Sequence, residues 1–546
     1  MNVATRSRRR VLVLQGIGFS LMLLLGGRLW YLQALQSDAY AAAADANTTR
    51  TVVTAAPRGL ILDDVGRPLV RNRTLLEVTL DRSVLAQQPA GGAAVLDRVA
   101  DVLNTSADEL RTKLRLCSAG VPTPCWNGSP YEPVPVAVDV TPAVALEIYE
   151  HRESFPGVDT RTVTTRDYPE PSGANLAHVL GYLQPANPDD VAAQRAADLL
   201  DPRLGSADLV GRAGLEKEYD ALLRGTPGLT QVTVDHLGHV LTTVDETAPV
   251  AGHNLVTNID AQLQQVAEQA LADGINRART VPDFRGRTYA ADSGAIVVMD
   301  ATNGAIVAMA GAPTYDPSSW VGGIDQATYA RLTAEDSGAP LLPRPFGAAS
   351  PPGSLFKVIS TAAAAQDGYD LSKTYPCPSS YQVGDQTFTN FESAAHGYIT
   401  LARAIEVSCD TVFYKIAHEM WLRDGGDHPV AEPKDPMQAM AAAFGLGRPT
   451  GIDLPGEVDG LIALRQFKRE YWERTHEATC ARAAADPSAG PDVDPERAAY
   501  LHQIDVENCT DGARFRAGDA VNFAIGQGDT RVTPLQMARV YAAILN

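Results

Sequence analysis

The chain has 546 residues, and its 46 basic against 65 acidic side chains give a net charge of −19. At roughly 150 residues per domain, this length predicts several folded units. The acidic balance repels phosphate backbones, which argues against nucleic acid as a partner. A charge of this size otherwise indicates solubility and does not point to a function.

The amino terminus departs from the acidic average. Residues 6–10 carry four arginines, whereas Val11–Gly27 carries no charged residue. An apolar stretch of roughly 20 residues can span a bilayer as a helix. We therefore predict a membrane helix over 11–33 that follows a cytoplasmic tail over 1–10. The positive-inside rule then places the amino terminus inside the cell and the rest of the chain outside the cytoplasmic membrane.

A cleaved signal peptide is the alternative, because Ala41–Ala44 offers the small residues that a signal peptidase needs. These alanines lie well beyond the end of the apolar run. The sequence therefore favours an uncleaved, single-pass anchor.

The six cysteines are an even number, and an exported chain can form disulfides. Cys117 and Cys125 flank a short loop with two prolines, so their pairing is the first expectation, and Cys480 with Cys509 is the second. The sequence does not fix the pairing of all six. Metal binding is the alternative, but no C-x-x-C pair occurs and the histidines are not grouped at ligand spacing, so no metal is predicted.

Between the anchor and about Val250, the sequence predicts a mixed α+β module over residues 34–250. Its predicted elements are a hairpin with its turn at Asp64–Gly66, a helix over Ala93–Leu116 and a strand over Pro133–Val140. The prolines of this strand place it at the edge of a sheet.

A second module is predicted over residues 251–546. Its predicted elements are a strand over Asn254–Asp260, a helix over Ala261–Asp273, a hairpin turn at Asp300–Gly304, an insertion over about Gln466–Ala517 and an amphipathic helix within Val521–Asn546.

Ser354 and Lys357 are the candidate nucleophile and base of this module. Pro351, Pro352 and Gly353 cannot continue a helix, whereas the residues from Leu355 onward propagate one. Positions three apart share a helical face, so the amine of Lys357 can reach the hydroxyl of Ser354. The apolar neighbours of Lys357 predict its burial, which makes an amine a usable base near neutral pH. A solvated surface pair is the alternative for so loose a pattern.

A second polar cluster, Ser408-Cys409-Asp410, interrupts an apolar pattern. The alternative for this cluster is an ordinary helix-capping turn.

Together, Ser354-x-x-Lys357 and Ser408-Cys409-Asp410 resemble two of the three motifs of the penicillin-binding, active-serine transpeptidases. Four further segments are similar to landmarks of the class B members: Ala56–Gly59, Gly211–Asp220, Thr257–Asp260, and the stretch from Gly526-Gln527-Gly528 through Pro534-Leu535-Gln536. The resemblance covers most of the chain. It implies an α+β multidomain fold with an N-terminal membrane helix, an extended α+β pedestal or dimerisation domain over 34–250, and a transpeptidase domain with a serine β-lactamase-like α/β sandwich over 251–546.

One departure concerns the third motif, because no K-T-G, K-S-G or H-T-G follows Ser408. In the family this strand follows the helix that begins like Thr533-Pro534-Leu535-Gln536. We therefore expect a sequence truncated before the third motif. Such a fragment is expected to be inactive, because the missing strand supplies a basic residue for the substrate carboxylate and an oxyanion-hole N–H.

The resemblance also implies a mechanism. Ser354 would attack the D-alanyl-D-alanine end of a peptidoglycan stem peptide with Lys357 as base, Ser408 would relay a proton, and Asp410 would position Lys357 or the peptide amide. An amine of a neighbouring stem would then resolve the acyl-enzyme into a cross-link. β-Lactams would inhibit by acylating Ser354, and no metal or organic cofactor is implied.

Asp410 stands where division-type class B enzymes usually carry Asn, which resembles the elongation type. The implied partner is a RodA-type membrane glycosyltransferase in the elongation complex. The alternatives are a division-type class B transpeptidase, a D,D-carboxypeptidase or β-lactam sensor of the same fold, and a mainly structural activator of the glycosyltransferase.

Overall fold

The computed structural model describes residues 3–31, 49–117, 121, 125–126, 133–187, 189–190, 208–234, 240–485 and 495–546. We divide the chain after its first helix into an N-terminal module (residues 49–256) and a C-terminal module (residues 257–546), according to the sheets that each contains.

The N-terminal module mixes short strands and short helices. Its described strands are β1 (Thr49–Thr54), β2 (Ile61–Leu62), β3 (Pro68–Leu80), β4 (Val134–Val138), β5 (Val158–Asp167), β6 (Leu183–Pro185), β7 (Leu209–Gly211), β8 (Gly228–Val234), β9 (Val240–Thr247) and β10 (Leu255–Val256). Its described α-helices are Arg82–Gln87, Ala93–Leu103, Ala107–Lys113, Pro142–Glu150, Ala177–Leu180, Gly214–Glu218 and Asp220–Arg224.

The long strand β3 organises this module. It pairs antiparallel with β2, β4 and β5, and β10 adds to β2 in parallel. A second antiparallel sheet runs β1-β8-β9, and β6 pairs with β7. The residues Val78, Leu80, Val99, Leu110 and Ile148 form a buried core between β3 and the helices above it.

Two predictions for this module are confirmed and one is wrong. The hairpin with its turn at 64–66 joins β2 to β3, and the strand predicted over 133–140 is β4, at the end of its sheet. The single helix predicted over Ala93–Leu116 is two helices. Asn104 adopts a left-handed φ of 51° that ends the first, and the Ser106 side chain caps the second by accepting from Glu109 N–H.

Helix Val3–Trp30 covers most of the segment predicted to span the membrane. Its side chains Ile17, Phe19 and Leu21 are exposed. Over the described residues, however, no helix combines the length and the apolarity that a bilayer crossing requires. Residues 32–33, where the predicted span ends, lie outside the described part of the chain.

A buried ionic network joins two of the sequence landmarks. Glu216 is fully buried and pairs through one oxygen with Arg58 at 2.7 Å and through the other with Arg166 at 2.8 Å. Arg58 also donates to Asp220 at 2.8 Å, and Arg166 donates to Asn72 at 2.8 Å. The charged residues of Ala56–Gly59 and Gly211–Asp220 therefore stabilise each other inside the protein.

The C-terminal module carries the remaining described elements. Its strands are β11 (Gly294–Met299), β12 (Ile306–Ala312), β13 (Thr374–Cys377), β14 (Ser380–Val383), β15 (Gln386–Thr389) and β16 (Gly397–Thr400). Its α-helices are Ala261–Thr280, Gln326–Thr333, Arg344–Gly347, Lys357–Gln366, Leu401–Glu406, Asp410–Arg423, Pro436–Ala443, Arg465–Ala483, Pro495–Asp511, Ala517–Ala524 and Pro534–Leu545.

The hairpin predicted at 300–304 is confirmed, because β11 and β12 pair antiparallel around it. The helix predicted over 261–273 begins as expected, with Asp260 accepting from the N–H groups of Gln262 and Leu263, and runs on to Thr280. The strand predicted over Asn254–Asp260 is shorter, because only Leu255–Val256 is paired and Asp260 already caps that helix.

Three disulfides tie the described chain. Cys117–Cys125 and Cys480–Cys509 confirm the expected pairs, and Cys377–Cys409 is the pair that the sequence left open. Cys480–Cys509 joins the helices Arg465–Ala483 and Pro495–Asp511, which make up most of the segment predicted as an insertion.

One buried cluster contains residues of both modules. Ile61, Leu69 and Leu223 of the N-terminal module pack in it with residues of the C-terminal module that include Met309, Phe346 and Leu535. A separate core made of Phe356, Ile359, Phe413, Val521 and Phe523 lies within the C-terminal module. This second core holds the helices that carry both polar motifs.

Candidate active site

Ser354 lies on a tight turn before a helix. Gly353 has a left-handed φ of 58°, a conformation that favours glycine, and its N–H donates to the carbonyl of Gly526 at 2.9 Å. Residues Gly353–Phe356 form one turn of 3-10 helix, after which the α-helix Lys357–Gln366 begins. Ser354 is exposed, whereas Phe356 beneath it is fully buried, so the turn presents the hydroxyl to solvent.

The Gly526 segment braces this turn from behind. A Cβ at Gly526 would lie 2.4 Å from the carbonyl oxygen of Gly353, so only glycine allows the two backbones to approach this closely. Ser360, one helical turn after Lys357, donates to the carbonyl of Ala524 at 2.6 Å. The landmark Gly526–Gly528 therefore has a packing role beside the nucleophile turn.

Ser408 lies two residues before the start of the helix Asp410–Arg423, in a strained backbone conformation. Its φ of 54° is left-handed, which is uncommon for a residue with a side chain. Cys409 then precedes the helix Asp410–Arg423, but its own side chain does not cap that helix. The alternative of an ordinary capping turn is therefore wrong for Ser408 and Cys409, because the cap comes from elsewhere in the chain.

The four predicted residues come together. Ser408 Oγ lies 2.9 Å from Ser354 Oγ, and Lys357 Nζ donates to Ser408 Oγ at 2.9 Å and to the Ser408 carbonyl at 2.9 Å. Lys357 Nζ also lies 2.5 Å from Asp410 Oδ1. The result is one hydrogen-bonded path from Ser354 through Ser408 to Lys357 and Asp410.

The spacing of S-x-x-K predicts that Lys357 reaches Ser354 along the helix face. In the structure Lys357 is connected to Ser354 through the hydroxyl of Ser408. The 3-10 turn over 353–356 does not itself separate the two side chains, because positions three apart are aligned in such a turn. Lys357 Nζ is instead held by Ser408 and Asp410.

Lys357 is buried as the sequence predicts, with 1% of its surface exposed. Burial lowers the pKa of its ammonium, because the charged form loses water, while the hydrogen bond and the charge of Asp410 act in the opposite direction. The lowering dominates. The site therefore holds an amine that loses its proton more readily than a lysine in water.

Sequence reasoning missed Asn390, which lies between two strands and supplies the missing cap. Its Oδ1 accepts from the N–H groups of Asp410 and Thr411 at 2.9 and 3.0 Å. No spacing or periodicity in the sequence marks this residue, because its partners Pro378, Asp410 and Thr411 lie 12, 20 and 21 residues away.

A separate cavity of about 480 Å³ lies where the two modules meet. Tyr219, Thr257, Met299, Asp453 and Leu535 are among the residues that line it, and none of the four motif residues does.

Comparison with protein families gives two matches. Residues 53–257 match the penicillin-binding protein dimerisation domain, and residues 294–546 match the penicillin-binding protein transpeptidase domain. Together these matches span most of the chain. They leave helix Val3–Trp30 and the segment between the two domains outside.

Comparison with individual proteins agrees. The chain is 28% identical over 541 residues to the peptidoglycan D,D-transpeptidase MrdA of Salmonella typhimurium strain SL1344, covering 98% of this chain and 73% of the relative. A structure of PBP2 with MreC from Helicobacter pylori superimposes with a TM-score of 0.64 at 24% identity, over 90% of this chain and 76% of that one. A chain from a peptidoglycan synthase complex that coordinates polymerization and crosslinking gives a TM-score of 0.59 at 27% identity, over 98% of this chain and 77% of that one.

Proposed function

This chain belongs to the penicillin-binding proteins, with their dimerisation and transpeptidase domains, and on that premise we propose that it is an elongation-type peptidoglycan D,D-transpeptidase. The relatives named MrdA support the proposal. The observation that carries it is the hydrogen-bonded path from Ser354 through Ser408 to Lys357 and Asp410.

In the first half-reaction, Ser354 Oγ attacks the carbonyl carbon between the two terminal D-alanines of a stem peptide. The hydroxyl proton passes to Ser408, whose own proton passes to the neutral amine of Lys357. The C–N bond breaks, and a proton returns along the same path to the nitrogen of the leaving D-alanine. An ester between Ser354 and the donor stem remains.

In the second half-reaction, an amine of a neighbouring stem attacks this ester. The C–O bond to Ser354 breaks, an amide cross-link forms, and the proton released by the amine returns to Ser354 Oγ through Ser408. Asp410 serves both steps by orienting Lys357, because its carboxylate can accept the hydrogen bond that fixes the amine. β-Lactams acylate Ser354 in place of the donor stem.

We place the reaction outside the cytoplasmic membrane, with residues 11–33 as a single-pass anchor. The support for the anchor is the sequence alone, in which four arginines precede the uncharged Val11–Gly27. A reporter that is active only outside the cytoplasm, fused after Val250, should be active. A silent but stably expressed fusion would contradict this placement.

We propose the elongation machinery as partner, with a RodA-type glycosyltransferase supplying the glycan strands. Asp410 at the end of the second motif supports the elongation role, as does the likeness to a chain from a peptidoglycan synthase complex. Stimulation of a co-purified glycosyltransferase by this protein in vitro would test the partner.

The central experiment is acylation by a fluorescent penicillin in the complete gene product, with mass spectrometry of the labelled peptide. The label should lie on Ser354. Ser354→Ala and Lys357→Ala should abolish it, because a hydroxyl without a base is a weak nucleophile. Ser372→Ala is the matched control. The Ser372 hydroxyl donates a hydrogen bond to Asp370 in a turn, so its loss should not change labelling. Undiminished labelling of Ser354→Ala would exclude the proposed nucleophile.

A further inference from the structure

Asn390 is a buried amide, 4% exposed, that joins three separate segments of the chain. On one side Oδ1 accepts from the first two N–H groups of the helix Asp410–Arg423. On the other side Nδ2 donates to the carbonyls of Pro378 and Ala394 at 2.9 and 2.7 Å. Two N–H donors face Oδ1 and two carbonyl acceptors face Nδ2, so these partners fix the orientation of the amide.

The disulfide Cys377–Cys409 ties the same segments covalently. Cys409 is the middle residue of the second motif, and Cys377 ends strand β13, next to the Pro378 carbonyl that Asn390 binds. Both cysteines are 1% exposed. Thr411, also buried, donates its hydroxyl to the same Pro378 carbonyl at 2.9 Å. The start of the motif-two helix is therefore held to β13 by one covalent bond and two side chains.

These contacts lie next to the residues that the proposed reaction uses. Asn390 binds the backbone N–H of Asp410, the residue whose carboxylate pairs with Lys357 at 2.5 Å. Ser408, on the other side of Cys409, has a left-handed φ that its own sequence does not favour. Both functional side chains of the motif therefore depend on support from outside the motif.

We propose that Asn390 is a positioning residue for the reaction, holding Ser408 and Asp410 in register with Ser354 and Lys357 from a frame that the Cys377–Cys409 disulfide closes. The inference rests on the proposed function and assigns it a residue outside the family motifs. Asn390 does not touch the reacting atoms. It acts through Asp410.

A mere role in stability would give a different result from a role in positioning. If Asn390 only stabilises the fold, its loss reduces the amount of folded protein, but the molecules that remain folded react normally. If Asn390 sets the place of Asp410, its loss weakens the Lys357–Asp410 pair in the folded protein. The pKa of Lys357 then falls further, because the charge of Asp410 opposes the lowering that burial causes.

The charged and titratable groups that bear on this readout are few among the described residues. Asp410 is the charge that acts on Lys357, and Ser408 and the ring of Phe413 are its other close neighbours. Tyr414, on the same helix as Asp410, has a pKa raised by burial and by the Asp410 charge, so it stays neutral across the range of the measurement.

The experiment measures the second-order rate constant for acylation of Ser354 by a fluorescent penicillin in the complete gene product. The measurements run between about pH 5 and 9, on both sides of neutrality, where a general base operates. Asn390→Ala should lower the rate by on the order of 10- to 100-fold, the cost of a misplacement near 1 Å. The acid limb of its pH–rate profile, over which the rate rises with pH, should move to lower pH. Asn390→Asp keeps an acceptor for the two helix N–H groups, so its limb should not move to lower pH and its rate should lie between those of Asn390→Ala and the wild type.

Asp260→Ala is the matched control, since Asp260 also caps a helix through two N–H groups but lies outside the site. It should lower the melting temperature and leave the acylation profile of the folded protein unchanged. The proposal is overturned if Asn390→Ala behaves like this control, or if both Asn390 variants shift the acid limb equally. Failure of the proposed function would look different, because the wild type itself would not be acylated at Ser354.

Discussion

At Lys357, burial and ion pairing act on the same ammonium in opposite directions. Burial removes water and favours the neutral amine, whereas Asp410 at 2.5 Å favours the charged form. A base needs the first effect so that it is unprotonated near neutral pH, and it needs the second so that the amine has a fixed direction. The balance between the two sets the pH at which the proposed reaction begins.

The first prediction follows from this balance. Asp410→Asn removes the charge that raises the pKa of Lys357, so that pKa should fall further. Acylation requires the neutral amine, so the rate rises as pH passes upward through this pKa, and the acid limb of the profile should move to lower pH. The plateau should also fall, because the Asn amide can turn a donor toward Lys357.

The measurement is the pH profile of penicillin acylation, as for Asn390. Asp325→Asn is the matched control, because Asp325 is an exposed carboxylate that caps the helix Gln326–Thr333 outside the site. A limb that stays in place, or that moves to higher pH, would show that Asp410 does not act on the base.

For single residues, the sequence predicts features that neighbouring residues determine and misses contacts between segments that are distant along the chain. The helix start at Ser354 follows from Pro351, Pro352 and Gly353, and the burial of Lys357 follows from its apolar neighbours. The contact between Ser354 and Ser408 joins residues that are distant along the chain, so here only the resemblance to a family pairs the motifs. Asn390 belongs to no motif, because the role of its side-chain amide depends on the backbone groups that the fold brings next to it.

Among the elements, buried charges hold the segment Ala56–Gly59 against the helices Gly214–Glu218 and Asp220–Arg224. Glu216 is fully buried, and Arg166 is 4% exposed in its side chain. A buried carboxylate between two guanidinium groups is stable only while all three are present. The network therefore fixes the position of Arg58 and Arg166 relative to the helices that carry Glu216 and Asp220.

The second prediction is that Glu216→Ala destabilises the protein by about 3–5 kcal/mol, because it leaves Arg58 and Arg166 buried without their shared partner. Thermal and denaturant unfolding would measure the loss. Asp108→Ala is the control, since Asp108 pairs with Arg111 at an exposed site and should change stability by less than about 1 kcal/mol. Equal losses in the two variants would mean that the buried network adds no more than a surface pair.

Element prediction succeeds where a strong local signal coincides with the tertiary structure. The two hairpin turns at 64–66 and 300–304 are formed as their turn residues require. The break at Asn104 is missed although the sequence carries local signals for it, because asparagine can take the left-handed conformation at a helix end and Ser106-x-x-Glu109 is typical of a helix start. Strand β10 is overestimated because its pairing partner, β2, is only two residues long.

For the whole molecule, the shared cluster of Ile61, Leu223, Met309, Phe346 and Leu535 couples the two modules. Apolar side chains from each module are removed from water by the other, so each module stabilises its neighbour. The sequence predicts two modules from their elements but cannot show this coupling, because the cluster combines residues that are hundreds of positions apart.

The last prediction tests that coupling through Phe346, which is 1% exposed and lies in the shared cluster. Phe346→Ala should lower the free energy of unfolding by about 3–5 kcal/mol, the usual cost of deleting a buried ring. Phe155→Ala is the matched control, because Phe155 is a buried ring whose cluster lies within the N-terminal module. Hydrogen exchange measured by mass spectrometry should show faster opening on both sides of the shared cluster, at β2 and β12, for Phe346→Ala. For Phe155→Ala the faster opening should concentrate around β3 and β5. If Phe346→Ala accelerates exchange in β12 and leaves β2 unchanged, the modules are neighbours without being energetically coupled, and the path from Ser354 to Asp410 would then be stabilised by the C-terminal module alone.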